Sequence, residues 1–214
     1  MKKKKSRVTF FLLFLWFLFV LYPNPVLLPV SILRMMDPSR ALGALPVQEE
    51  GLTGKTAAEI EQLVYAWIPY EYDWVVYGMP WYFPSLDEVL KNQEGDCKAR
   101  YILFASLLEQ QGMAYETRVS VSHIWVDYGG KTSSSVENED VTFLKTNDQG
   151  EISFQWPDVD WATNGRVFWE AFWQVMPWPR KVLLILGWPV IHVFLYGFRR
   201  ASRLSLLKQK AEGS

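Results

Sequence analysis

The chain is poor in the residues that build metal centres and disulfide frameworks. It has one cysteine and two histidines among 214 residues. A single cysteine permits no intramolecular disulfide, so pairing says nothing about redox compartment. Cys97, His123 and His192 also supply too few ligands, at unsuitable spacing, for a Cys/His zinc site. No metal and no organic cofactor is implied. The HExxH, GxSxG and CxxC patterns are missing. Gly54-Lys55-Thr56 is not a phosphate loop, because the first glycine of that motif would fall at Glu49 and no strand precedes it. Gly130-Lys131-Thr132 fails too, with Trp125 in the required glycine position. There is no internal repeat and no low-complexity tract.

A basic folded module is also missing. The net charge of −1 conceals two cationic ends, Lys2, Lys3, Lys4, Lys5 and Arg7 at one and Arg199, Arg200, Arg203, Lys208 and Lys210 at the other. Between residues 8 and 198 there remain 12 basic and 22 acidic residues, a net of −10. Nucleic-acid binding needs its positive charge on the folded part, so that class of partner is excluded. What the chain has in abundance is apolar and aromatic surface. Half of it is hydrophobic, with 11 Trp, 13 Phe and 10 Tyr, which argues against disorder and against a coiled coil.

Two apolar runs suggest a lipid bilayer as partner. Val8 to Tyr22 is unbroken, and the run resumes after Pro23-Asn24-Pro25 as Val26-Leu27-Leu28-Pro29-Val30. With that continuation it is long enough to span. No small-x-small cleavage site follows Tyr22, so an uncleaved signal anchor is expected rather than a removed signal peptide. Val182 to Phe198 is the second expected span. Trp169, Trp173, Trp178 and Trp188, with Phe168 and Phe172, gather near its start as an interfacial aromatic belt. Basic residues outside both runs place both termini in the cytoplasm and the central domain on the other side of the cell membrane. His192 receives no role. The expected organisation is a tail and signal anchor (1–34), a linker (35–55), a folded domain (56–165), an aromatic interfacial segment (166–181), a transmembrane helix (182–198) and a basic tail (199–214).

Within the folded domain helices come first and strands later. Thr56-Ala57-Ala58-Glu59 and Ser85-Leu86-Asp87-Glu88 are capping boxes, each opening a helix. Residues 69–84 read as an aromatic loop. Cys97 opens a third helix that runs to Gln111 and stops at Gly112. Tyr115 to Val121 alternates as a strand. Extended segments are then expected at 123–128, 135–145 and 151–156, separated by turns at Gly129-Gly130-Lys131 and Asn147-Asp148-Gln149-Gly150. The fold class is α+β, helices packed on an antiparallel sheet.

A thiol at a helix N-terminus, followed by a histidine at a strand, suits thiolate chemistry. The helix dipole and an adjacent imidazolium both favour the anionic sulfur. A buried, inert Cys97 is the plainer alternative. The run Ser85-Leu86-Asp87-Glu88-Val89-Leu90, Gly95-Asp96-Cys97, Leu103-Phe104-Ala105-Ser106-Leu107-Leu108 with Gly112, and His123-Ile124-Trp125-Val126-Asp127-Tyr128 resembles the bacterial transglutaminase-like family of papain-like thiol enzymes, over roughly residues 56–156. The resemblance implies a Cys-His-acid triad with Cys97 as nucleophile and His123 as its base. It also implies a peptide or protein substrate attacked at an amide carbonyl, by hydrolysis or acyl transfer. A non-catalytic binding or assembly module is the alternative.

For the third member, Glu137, Asn138 and Asp140 all fall in the window. If Gly129-Gly130-Lys131 is a three-residue hairpin loop, Tyr128 pairs with Thr132 and His123 faces Glu137, which is favoured. Asp127 shares a strand face with His123 but lies about 13 Å along it, too far to orient the ring. Val121-Ser122-His123 leaves little room for the loop that the family carries, so either one long bent strand or an altered site is expected. The Cys97 backbone N–H is the natural oxyanion donor, with the Trp81 or Trp74 indole as a possible second.

Overall fold

The computed structural model describes residues 2–45, 52–132, 134, 137, 139–147 and 151–212. They divide into two compact units, residues 1–25 with 176–214, and residues 26–175.

The first unit is a pair of helices, α1 (Lys2–Leu21) and α8 (Trp178–Glu212). They run antiparallel, since Trp16 Nε1 donates to Leu183 O at 2.9 Å while Arg180 Nη1 reaches Val20 O. Gly187 permits the close approach. A Cβ there would lie 2.4 Å from Trp16 Cδ1. Within α8, Trp178–Gly197 spans 20 residues at mean hydropathy 1.3, long and apolar enough to cross a membrane. The apolar part of α1, Arg7–Leu21, is shorter. The expected continuation of this run into Val26–Val30 does not occur. Two prolines around Asn24 end α1, because proline lacks the N–H and disfavours helix in the residue before it.

The chain instead restarts as α2 (Leu27–Met36), which belongs to the second unit. Its side chains explain why. Ser31 Oγ donates to Trp81 O at 3.0 Å and accepts from Phe83 N at 2.8 Å. Arg34 donates to Phe83 O and to Glu88 Oε2. The described parts of the segment read as a linker are likewise built into the domain, residues 46–51 lying outside the described residues. A 3-10 turn spans Pro38–Ala41, and Ala41 and Leu52 are both buried in the core.

Both capping boxes are present. Thr56 caps α3 (Ala57–Trp67) and Ser85 caps α5 (Leu86–Asn92), each with its glutamate returning to the cap N–H. Between them the aromatic segment contains a single helical turn, α4 (Asp73–Val76). The central helix α6 (Cys97–Gln110) is surrounded on nearly all sides. Ala99, Ile102, Ala105 and Leu108 have no exposed area, and Ile60 of α3 and Val89 of α5 pack into the same core. Gly112, at φ +65°, turns the chain out of the helix, the left-handed position that favours glycine.

The sheet is antiparallel with order β2-β1-β3-β4: β1 (Glu116–Val119), β2 (Ile124–Asp127), β3 (Leu144–Thr146) and β4 (Ile152–Phe154). β1 and β2 form a hairpin with Val119 opposite Ile124 and Glu116 opposite Asp127. Its four-residue turn is closed by Ser120 N donating to His123 O at 2.8 Å and His123 N donating to Ser120 Oγ at 3.1 Å. Two strands and a tight turn therefore replace the long bent strand considered above. Of the expected strand over 135–145, positions 135, 136 and 138 lie outside the described residues; the described strand is β3, which pairs with β1 and not with β2. Beyond the sheet, α7 (Trp161–Phe168) runs into a π-helical turn, Trp169–Gln174. Phe168 and Phe172 stack on Trp81.

Candidate active site

Cys97 is placed by two constraints on the turn before it. Gly95 N donates to Pro69 O and Glu71 N donates to Gly95 O, each at 3.1 Å, so residues 69–71 run alongside Gly95 as a short parallel bridge. A Cβ at 95 would lie 2.5 Å from Ala99 Cβ, so only glycine allows the helix to start this close. Asp96 then caps α6 through Lys98 N at 2.9 Å. Cys97 occupies the first helical position, where the backbone N–H has no partner inside the helix, and its thiol is half-buried.

The other side of the site is the β1–β2 turn. It brings His123 into the cleft that Cys97 also lines, close enough for the sulfur to raise the imidazole pKa. Trp125 stacks against the imidazole at 5.7 Å between centroids. His123 Nε2 lies 3.3 Å from Glu137 Oε1. The structure thus brings the three favoured residues together, although Glu137 arrives by a different route. Among the described residues β2 pairs with β1 alone, so no cross-strand register there aligns 137 with 123; the carboxylate reaches the ring from the segment between β2 and β3. Asp140 does not line the cleft that holds His123. Asn138 lies outside the described residues. Asp127 pairs with Arg118 at 2.6 Å.

Electrostatics lock this arrangement. Burial pushes the His123 pKa down, but its interactions with Cys97 and Glu137 outweigh that and raise it to about 9. Burial likewise works against an ionised Glu137, yet the bond to His123 and the Lys131 charge hold it below the ordinary carboxylate range. Lys131 is the residue that sequence reasoning missed. Read as part of a solvated turn, it is 5% exposed and lies 2.9 Å from Glu61 Oε1, 2.8 Å from Val126 O and 3.4 Å from Glu137 Oε2. Glu61 also accepts from the Tyr65 and Tyr128 hydroxyls. Only its place beside Ile60 and Val64 on the buried face of α3 signals in the sequence that this carboxylate is structural.

The three residues open on a cleft of about 110 Å³, lined also by Tyr65, Tyr70, Arg100 and Trp125. Neither Trp81 nor Trp74 lines it. Both indoles pack on Phe172, so the second oxyanion donor expected from them is not supplied. Among the described residues no group of His, Cys, Asp and Glu is arranged to hold a metal ion. Comparison with protein-family models, curated proteins and solved structures finds no match to this chain.

Proposed function

We propose that the second unit is a transglutaminase-like thiol enzyme acting on amide or peptide carbonyls. The observation that carries this reading is that Cys97, at a helix start, lines one cleft with His123 and Glu137, the imidazole 3.3 Å from the carboxylate. A charged imidazole beside a sulfur favours its nucleophilic, anionic form. With Nε2 turned to Glu137, the other ring nitrogen is left to exchange protons with substrate and sulfur. The Cys97 sulfur attacks the carbonyl carbon, and the Cys97 backbone N–H stabilises the oxyanion. His123 passes its proton to the departing nitrogen, which leaves as ammonia or an amine, and a thioester remains. Water or an amine then gives up a proton to His123 and attacks the thioester, returning the thiol. Glu137 holds the ring orientation and compensates its charge.

The membrane placement belongs to the same proposal. α1 and α8 both enter the cell membrane, leaving both termini in the cytoplasm and the catalytic unit on the outer side, where envelope peptides or proteins are its substrates. The antiparallel pairing of α1 with α8 and the cationic residues flanking each support this.

A cleft of about 110 Å³ is small beside the 300–1,000 Å³ typical of small-molecule sites, and it favours a second reading, a papain-like binding module without turnover. One experiment separates the two. The full chain in detergent micelles is given peptides containing glutamine or aspartate, with and without a primary amine, and ammonia release, amine incorporation and peptide cleavage are followed by mass spectrometry. The enzyme reading expects turnover that Cys97→Ala and His123→Ala each reduce at least ~100-fold. Turnover untouched by both substitutions, or none with any peptide, overturns it.

A further inference from the structure

We propose that Arg100 selects acyl donors carrying a free carboxylate on the residue whose carbonyl is attacked. This rests on the acyl-transfer reading above and names the substrate class for it. Arg100 stands three residues after Cys97 on α6, so the two side chains leave the helix on one face, with Cβ atoms about 5–6 Å apart. Both line the same cleft.

Arg100 is held as a fork. Its Nε donates to Ile68 O at 3.0 Å, at the end of α3. The guanidinium lies 5.0 Å from the Tyr65 ring centroid and 5.3 Å from that of Tyr70. One backbone bond and two aromatic faces therefore fix the plane of the group while no carboxylate among the described residues pairs with it. The acids of the cleft are engaged elsewhere. Glu61 takes Lys131, Tyr65 and Tyr128, and Glu137 takes His123 and Lys131. Arg100 is thus the cation of the cleft whose charge is not matched by a carboxylate of its own.

A half-buried, oriented guanidinium suits a planar anion, which it binds through two parallel N–H···O bonds. The donor so selected carries an aspartate-type side chain. Its carboxylate reaches Arg100 while its main-chain carbonyl faces the Cys97 sulfur one helical turn away. A carboxamide in the same place offers one oxygen and no charge. The arrangement discriminates by charge, with no need for a deep pocket, which agrees with the small volume of the cleft.

The test uses two biotinylated peptidyl chloromethyl ketones that differ only in carrying Asp or Asn at the reacting residue. Alkylation of Cys97 in the full chain is located by mass spectrometry, and its second-order rate constant is measured for each. Wild-type protein is expected to react about tenfold faster with the Asp probe. In Arg100→Gln the ratio falls to about one, through loss of the Asp rate alone, and in Arg100→Lys it lies between. A wild-type ratio near one, with both probes modifying Cys97, overturns the assignment and leaves the thiol-enzyme reading standing. A ratio that survives in Arg100→Gln does the same. If iodoacetamide modifies Cys97 and neither probe does, both readings fall together. The wild-type ratio decides the matter even if Arg100→Gln does not fold.

Discussion

Replacing Glu137 by glutamine removes one charge from the site and little else. The amide keeps the size and an acceptor oxygen for His123 Nε2, 3.3 Å away in the wild-type structure. At that separation two unit charges attract by about 5 kcal/mol at an effective dielectric constant of 20. Part of that is spent on burial, and Lys131 shares the carboxylate at 3.4 Å. An opposite charge at this range typically moves a pKa by about 1–3 units. The His123 midpoint, about 9 in the wild type, is therefore expected to fall by about 1–2 units in Glu137→Gln, or about 1.5–3 kcal/mol. The sign carries through to stability. Because the folded value lies above the unfolded one of 6.5, His123 contributes fully below pH 6.5, and its contribution is lost as pH rises through 9. In the variant that loss is smaller and is complete at lower pH. NMR titration of the imidazole gives the midpoint, and urea denaturation at pH 6, 7.5 and 9 gives the stability. A midpoint moved by less than about 0.3 units would refute the electrostatic account of this pair.

Other expectations concern the frame of the site. Lys131→Met strands the Glu61 and Glu137 carboxylates, 11% and 13% exposed, so a loss of about 3–5 kcal/mol in urea is expected; a loss under about 1 kcal/mol would show that the lysine is not their counter-charge. Gly95→Ala drives a methyl to 2.5 Å from Ala99 Cβ and should cost about 1–3 kcal/mol while slowing Cys97 alkylation, because the turn that sets the thiol must shift. Ser85→Ala removes the cap of α5 and should cost about 1 kcal/mol without changing the alkylation rate, which separates stability from site geometry. On acidification the depressed Glu137 loses its contribution as pH falls through its folded value, so a Glu137→Gln chain should lose less stability than wild type between pH 5 and pH 3.

Local chemistry was legible in the sequence where the deciding contacts lie within one turn. Thr56 with Glu59, Ser85 with Glu88, and Gly112 announce three helices whose ends depend on neighbours in the chain. That Cys97 and His123 share a cleft was expected from a thiol at a helix start and a histidine at the following strand. What escaped was set by distant partners. β3 lies beside β1 instead of β2, so Glu137 was chosen by a register that the described residues do not form. Ser31 and Arg34 tie α2 to the backbone some fifty residues away, and nothing in an apolar run with prolines reports those bonds. Lys131 looked like a solvated turn residue because Glu61, the partner that buries it, is 70 positions earlier.

The account stands on the imidazole of His123 activating the sulfur of Cys97, and the native alkylation rate tests that directly. Iodoacetamide is added at pH 7 to the folded full chain and to His123→Ala, and modification of Cys97 is followed by mass. The account predicts at least a ~10-fold slower reaction in the variant. Equal rates, or a wild-type thiol that reacts only after unfolding, would contradict it.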